Sequence, residues 1–227
     1  MLMKNICYAL ALCMLQGSAL AKDNCETELF KSGTQLLVTD HPEKNRFLSL
    51  VIQNADGKRI RCADQPRTED AQIRRLSKSI GRSTPLTITE LISLSAASWT
   101  QMARGASQQI AKRSYKSPNE FDAIHVDGIE RLILEESPSS SVASNLMRTL
   151  ARLNTPAARE VLIRVLRRSA NTAYQVTAAR MLVQIRSPET RAALELCSGL
   201  NNPMVSAQCK RSLIRYQVRA EAERTPQ

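Results

Sequence analysis

The sequence predicts a mainly α-helical protein in which a small disulfide-closed, β-containing unit precedes a stack of helical hairpins. Three observations predict this class. An apolar pattern recurs every 31–32 residues in the C-terminal third. Two cysteines bracket a short segment of strand-like composition. The 227 residues are 43% hydrophobic but only 4% aromatic, which excludes a disordered chain, a collagen and a polytopic membrane protein.

Residues 1–21 have the features of a secretory signal peptide. Lys4 supplies the positive start, an apolar run covers 6–15, and Ala19–Ala21 has small residues where a signal peptidase cuts. The run is too short to cross a bilayer of ~30 Å as a helix. We therefore expect cleavage before Lys22, no transmembrane segment in the mature chain, and a periplasmic or secreted location. An uncleaved anchor or a buried helix is the alternative.

Cysteine usage agrees with export. Four cysteines remain after cleavage, and in an oxidising compartment an even number predicts two disulfides. Three pairings are possible, and we pair Cys25 with Cys62 because they bracket the β-containing unit. No Cys-x-x-Cys motif occurs, and His41 and His125 lie far from the cysteines in sequence. We therefore expect neither a metal site nor a cofactor.

Residues 22–66 are predicted to form the β-containing unit. Strand composition marks 34–39, 47–52 and 58–62, and Asp56-Gly57 is a hairpin turn signal between the last two. A unit this small buries little apolar surface. A disulfide that closes its ~38 residues would therefore stabilise it by about 3–4 kcal/mol.

Residues 67–136 are predicted to be helical, over 68–80, 89–112 and 119–136. The first segment runs from acidic to basic side chains, as the helix dipole favours. The third contains Gly128, which weakens it. The sequence leaves open whether this region extends the hairpin stack.

Residues 140–218 match themselves when the sequence is shifted by 32. Thr155-Pro156 corresponds to Ser187-Pro188, and each pair places a hydroxyl at a helix N-cap and proline at the first helical position. Each unit is therefore helix, tight turn, helix, and such pairs must stack to bury their apolar stripes. The repeated front stripes are Leu146, Leu150 and Leu153; Ala178, Leu182 and Ile185; and Cys209, Leu213 and Tyr216. In the rear helices Leu162 and Val165 correspond to Leu194 and Cys197.

The segments 174–189 and 202–207 resemble HEAT repeats of the short type first noted in phycobilisome lyases. They depart from that pattern where the family often has arginine, at Thr177 and Ser206, and where it often has glycine, at Val183 and Ile214. The resemblance is limited to the C-terminal third, and the lyase activity does not carry over. It implies an α-solenoid over 140–218 that binds another macromolecule.

The repeat register also places the last two cysteines. Cys197 falls on a core position of a rear helix, and Cys209 falls on a core position of the next helix. Two adjacent antiparallel helices would bring these stripes together, so we expect a Cys197–Cys209 disulfide that locks the terminal repeat. The alternative is a pair of buried free thiols.

The charge of the chain is uneven. Residues 22–139 carry 17 basic and 16 acidic side chains, whereas residues 140–227 carry 14 and 5. All but one of those 14 are arginine, the exception being Lys210. The boundary lies near the serine-rich stretch 137–141, and residues 219–227 are predicted to be a disordered tail.

The arginines keep the repeat register as well. Arg148, Arg180 and Arg211 occupy one equivalent position, and Arg159 and Arg191 form a second equivalent pair. A column of guanidinium groups suits carboxylates or phosphates, because each can bond two oxygens at once. These five arginines are the predicted binding residues, and a solvated helix face that aids solubility is the alternative.

The partner is predicted to be a protein of the cell envelope, with an anionic envelope polymer as a further candidate. Nucleic acid is not expected, because the chain is predicted to be exported. The region also has only Tyr174 and Tyr216 as aromatic side chains for stacking on bases.

Catalytic signals are weak. His125 and Asp127 lie near Glu130, and Glu136-Ser137 matches a dipeptide of lytic transglycosylases without its surrounding pattern. The predicted function is a non-catalytic exported adaptor that binds an envelope or secretion-machinery protein through a basic solenoid surface. The alternatives are an inhibitor or immunity protein against a periplasmic enzyme, and a cell-wall hydrolase.

Overall fold

The computed structural model describes residues 25, 28–31, 33–67, 73, 77–78, 80 and 85–222, with the backbone alone at 66 and 219–222. The predicted signal peptide over 1–21 lies outside these residues. The chain divides into two compact units. The first contains the described residues up to Glu90 together with 97–105, and the second contains 91–96 and the residues from 106 onward.

A three-stranded antiparallel sheet forms the centre of the first unit. Its strands are β1 (Gln35–Asp40), β2 (Phe47–Gln53) and β3 (Arg59–Pro66), paired in the order β1-β2-β3. All three lie close to the predicted strands, and β3 runs four residues past its predicted end. Gly57 adopts a positive φ of 78° in the turn between β2 and β3, a conformation that glycine tolerates best.

Apolar side chains of the sheet form a small core with the segment before β1. Leu50, Ile52 and Leu29 are almost completely buried. Cys25 and Cys62 form a disulfide with a Cα–Cα distance of 5.7 Å, which ties the start of the unit to β3. A covalent link therefore supplements a core that is too small to hold the unit strongly.

One predicted helix of the middle region is interrupted. Instead of one helix over 89–112, the structure has α1 (Ile88–Ser95) and α2 (Thr100–Lys116). The Ser95 hydroxyl donates to the carbonyl of Leu91, and the chain then turns before the first backbone bond of α2, from Ala103 to the Trp99 carbonyl. Of the helix predicted over 68–80, only 73, 77, 78 and 80 are described, and all four are helical.

The helix predicted over 119–136 begins later than expected. Pro118–Glu120 form a 3-10 turn, and α3 (Ala123–Leu134) starts at a capping box. The Asp122 carboxylate accepts from the His125 backbone N–H, and His125 Nδ1 accepts from the Asp122 N–H. These reciprocal bonds fix the start of α3 at that point.

Five further helices complete the second unit in two layers. They are α4 (Ser140–Leu153), α5 (Pro156–Arg168), α6 (Thr172–Leu182), α7 (Pro188–Ser198) and α8 (Pro203–Ala222). In the first layer α4 contacts α6 and α6 contacts α8, and in the second layer α3 contacts α5 and α5 contacts α7. This alternation is the stack of helical hairpins that the repeat predicts.

The turns between the helices form as predicted. Thr155 Oγ1 accepts from the backbone N–H of Ala158 at 3.2 Å, and Ser187 Oγ accepts from that of Thr190 at 3.1 Å. In both helices proline follows the cap directly. Asn154 ends α4 in the left-handed region, with φ of 51°, and leaves room for the sharp return into α5.

Most of the repeated apolar positions form the core of the second unit. Leu153, Leu213 and Tyr216 lie at its edge and are half-buried. The Tyr216 hydroxyl donates to the carbonyl of Ser187 at 3.0 Å, so this side chain joins α8 to the turn before α7. The buried positions are Leu146, Leu150, Leu162, Val165, Ala178, Leu182, Ile185, Leu194, Cys197 and Cys209.

The last two helices are joined covalently. Cys197 of α7 and Cys209 of α8 form a disulfide with a Cα–Cα distance of 5.9 Å. Helix α8 continues to Ala222, so residues 219–222 are helical although they were predicted to belong to a disordered tail, and 223–227 lie outside the described residues. None of the described helices is both long and apolar enough to cross a membrane.

Candidate functional site

The two layers of the helical stack differ in their acidic side chains. Helices α4 and α6 contain no aspartate or glutamate, and α8 contains only Glu221, next to its last residue. The second-layer helices contain five acidic side chains: Asp127, Glu130, Glu160, Glu189 and Glu195. The first layer therefore has almost no negative charge of its own.

Three arginines of the second layer, Arg159, Arg164 and Arg191, have carboxylate partners within the protein. Arg164 of α5 donates from Nε and Nη2 to both carboxylate oxygens of Glu130 on α3, at 2.5 and 2.7 Å. A second carboxylate, that of Glu160, lies 3.5 Å from its Nη1. The hydrogen bonds with Glu130 raise the pKa of Arg164, and the pair joins two successive helices of the layer.

The equivalent pair Arg159 and Arg191 also has carboxylate partners. Arg159 of α5 lies 3.7 Å from a carboxylate oxygen of Glu189 on α7, and Arg191 bonds Glu195 on its own helix at 2.8 Å. The pKa of Glu189 is lowered, first by a hydrogen bond from Ser187 and further by the charge of Arg159. Both predicted binding residues therefore already have carboxylate partners in the folded chain.

The predicted column Arg148, Arg180 and Arg211 lies on the three first-layer helices α4, α6 and α8. Arg148 is half-buried and donates to Asn145 Oδ1 at 3.4 Å, while Arg180 and Arg211 are exposed. Within the described part of the chain, none of the three forms an ion pair with a carboxylate. Their charge is available to a partner.

A second arginine register accompanies the first. The same shift of 32 and then 31 residues carries Arg152 to Gln184 and Arg215. All three positions lie on the first-layer side and are exposed. We name Arg148, Arg152, Arg180, Arg211 and Arg215 the first-layer arginines. Arg152 and Arg215 were not among the predicted binding residues, because Gln184 interrupts their column.

An apolar groove lies between α6 and α8, among these arginines. It has a volume of about 600 Å³. Ile214 and Val218, one helical turn apart on α8, are 60% and 59% exposed at its wall. Exposed aliphatic side chains rimmed by cations are typical of a protein-binding surface. The groove is lined by Arg180, Val183, Gln184, Ile214, Arg215 and Val218.

Three of the residues weighed for catalysis, His125, Glu130 and Glu136, have contacts within the protein. His125 caps α3, Glu130 bonds Arg164, and Glu136 lies 4.0 Å from Arg131 with its side chain exposed. His41 in the first unit accepts backbone N–H bonds from Glu43 and Lys44 at its Nδ1. Across the described residues, no three His, Cys, Asp or Glu side chains are grouped so that they could hold a metal ion.

Comparison with known families agrees with this architecture. Residues 131–213, which run from the last turn of α3 into α8, match the family model described as HEAT repeats. The C-terminal part of the chain is a HEAT-like repeat array. No curated protein and no solved structure matches the chain.

The HEAT-like array is a helical-repeat scaffold, a fold that is typical of protein interaction and of non-catalytic proteins. The predicted resemblance, limited to the C-terminal third, is confirmed by this match. The two disulfides are typical of proteins in oxidising compartments.

Proposed function

We propose that the chain is a non-catalytic, exported adaptor whose HEAT-like array binds an acidic protein of the cell envelope or of the secretion machinery. One observation carries the proposal. Of the second-layer arginines, Arg159, Arg164 and Arg191 have carboxylate partners, whereas the first-layer arginines have none among the described residues. The exposed second-layer charges of Arg167 and Arg168 lie together at the end of α5 and do not repeat along the stack. An uncompensated basic surface attracts an acidic one and speeds its association.

Recognition would combine charge with apolar burial. Each guanidinium can bond two oxygens of a carboxylate, and Ile214 and Val218 offer apolar area in the groove between α6 and α8. The stacked helices and the Cys197–Cys209 disulfide hold this surface in a fixed shape. Binding would therefore need little reordering of the chain, which favours affinity.

Export is supported by the character of residues 1–21 and by the two disulfides. An inhibitor or immunity protein would use the same kind of preformed surface and differs in what it does to its partner. An enzymatic assay of the captured partner, with and without the chain, separates an inhibitor from an adaptor.

Capture from an envelope extract tests the proposal. The wild-type mature chain would retain a specific protein at low salt and release it at high salt, because screening weakens exposed charge pairs. The variant R148Q/R180Q/R211Q would lose the capture.

The matched control is R131Q/R167Q/R168Q, which removes three exposed positive charges from second-layer helices. It would retain the partner. If both variants lose capture equally, net charge rather than the first layer governs binding. If neither variant alters capture, the proposal is contradicted.

A further inference from the structure

A second pocket on the first-layer side lies between α2 and α4, outside the groove described above. It has a volume of about 360 Å³ and includes residues that precede the segment matched to HEAT repeats. The repeat register points to Arg148 and Arg152 but not to the residues of α2. Its lining residues are Gln108, Ala111, Lys112, Tyr115, Asn145, Arg148 and Arg152.

Two guanidinium groups in this pocket are held by the protein itself. The Asn145 side chain is buried, its Nδ2 donates to Ser107 Oγ at 3.1 Å, and its Oδ1 accepts from Arg148 Nη1 at 3.4 Å. Arg152 Nη1 donates to the carbonyl oxygen of Ala111 at 2.6 Å. Both arginines are thus oriented before any ligand arrives, which lowers the entropy lost on binding.

An exposed aromatic ring forms one wall of the pocket. Tyr115 is 77% exposed, the most exposed large apolar side chain in the described part of the protein. The guanidinium carbon of Arg152 lies 5.7 Å from the centre of its ring, within the range of a cation–π contact. Tyrosine and arginine are the residue types in which interface binding energy is concentrated.

The pocket is positively charged, and the two helices that line it supply no carboxylate to neutralise that charge. Helices α2 and α4 contain no aspartate or glutamate, and Lys112 adds a third cation to Arg148 and Arg152. None of these three cations has a carboxylate partner among the described residues. The neighbouring ring gives the pocket an apolar side as well, so it suits an anionic group on a short apolar stem.

We infer that this pocket is the anchor point for one aspartate or glutamate side chain of the partner protein. The carboxylate would bond Arg148 and Arg152, and its methylene groups would pack on the Tyr115 ring. The inference rests on the proposed function and names the chemistry that its surface recognises.

A polypeptide fits the whole first-layer side better than a uniformly anionic polymer. The pocket between α2 and α4 is cationic, whereas the groove between α6 and α8 presents Ile214 and Val218. A partner that meets both must alternate acidic and apolar groups. An amphipathic acidic segment of a protein has that alternation, and a repeating polyanion does not.

Titration of the full mature chain with a defined peptide tests the inference. The probe is the acetylated, amidated peptide Glu-Glu-Leu-Glu-Glu-Leu, followed by NMR shifts of the arginine Nε–H groups and the Tyr115 ring. We expect the shifts to centre on Arg148, Arg152 and Tyr115. R152Q should weaken binding about tenfold and Y115A about fivefold, while Y115F retains it.

The control is R167Q, which removes one exposed positive charge from second-layer helix α5. It should change the affinity less than about twofold. Equal effects of R152Q and R167Q would overturn the inference, because they would indicate attraction by net charge alone. The variants R148Q and K112Q repeat the test without removing the hydrogen bond from Arg152 to the Ala111 carbonyl.

Inorganic polyphosphate is the competing probe. If it binds the same residues more tightly than the peptide, the pocket serves an anionic polymer and the assignment to a protein carboxylate is wrong. The outcome is separable from that of the extract experiment, because the titration needs no natural partner. If the peptide binds this pocket but no protein is captured from the extract, the proposed partner class is rejected. If a protein is captured but the peptide does not bind this pocket, only the anchor point is rejected.

Discussion

The arginines of the array differ in whether a carboxylate of the protein itself pairs with them. Arg164 lies between Glu130 and Glu160, and its charge is used inside the protein to join α3 to α5. Arg180 and Arg211 form no ion pair with a described carboxylate. Composition alone does not distinguish these cases, because the difference lies in the helix that faces each guanidinium.

A carboxylate in the first unit makes stability depend on pH. Burial acts to raise the pKa of Asp64, but hydrogen bonds from Arg61 and Ser49 and the charge of His41 outweigh it and hold the pKa below its usual value. The pKa of Asp64 is lower in the folded state than its usual value of 3.8 in the unfolded chain. The ionised carboxylate therefore stabilises the fold at pH values above 3.8. This contribution is lost as the pH falls through the folded pKa.

We therefore expect the free energy of unfolding to fall more steeply below about pH 4 in the wild type than in D64N. Urea denaturation at a series of pH values measures the slopes. The control is D56N, which removes an exposed carboxylate from the turn of the same sheet. A D64N slope identical to that of the wild type would contradict the assignment.

Helix ends show how the array is built at the scale of elements. Thr155 and Ser187 cap α5 and α7 at equivalent places in the repeat. We expect T155A and S187A each to lower the free energy of unfolding by about 1 kcal/mol. The loss should be larger for S187A, because Ser187 is buried and its Oγ also lies 3.2 Å from Thr190 Oγ1, within hydrogen-bond distance.

Denaturation of the two variants beside T155S, which keeps a hydroxyl, measures the cap contribution. If T155A and T155S are equally stable, the hydroxyl bond to Ala158 does not stabilise α5. The comparison is informative because Thr155 is exposed and its replacement leaves no cavity.

The Cys197–Cys209 disulfide should stabilise the end of the array. Its partners are 12 residues apart, and the restriction of a loop of that size is worth about 3 kcal/mol. We expect C197A/C209A to lose roughly that amount and to exchange amide hydrogens faster in α7 and α8. Unchanged exchange in α7 and α8, or equal acceleration in α4 and α5, would contradict a local role.

Local signals in the sequence predicted the elements they control. Thr155-Pro156 and Ser187-Pro188 fixed two helix starts, because cap and proline act within a single turn. The break between α1 and α2 was not predicted. No proline or glycine marks it, so the local sequence gives no signal for it; Trp99, which lies in the break, is buried in the folded protein.

The candidate surface was predictable in part for a similar reason. Shifts of 32 and then 31 residues carry Arg148 to Arg180 and Arg211. The repeat therefore predicted that these three arginines lie in the same layer. The shift could also have found Arg215 from Arg152. Tyr115 lies on α2, before the repeat begins, and its exposure beside Arg152 depends on how α2 packs on α4.

In the molecule as a whole, charge is distributed unevenly between the two layers, and the proposed function depends on this difference. Residues 140–227 carry 14 basic and 5 acidic side chains, and only Glu221 of those acids lies on a described first-layer helix. We expect the association rate with the partner to fall as ionic strength rises, because steering by exposed charge is screened. Stopped-flow measurements at several salt concentrations check this expectation, and a rate independent of salt would contradict it.

Photo-crosslinking in the native envelope tests the central claim most directly. A photoreactive amino acid replaces either Ile214, in the first-layer groove, or Leu196, on second-layer α7; these side chains are 60% and 66% exposed. The account predicts that position 214 crosslinks to a discrete acidic protein and position 196 does not. Crosslinks from position 196 alone, or equal and diffuse crosslinks from both, would contradict it.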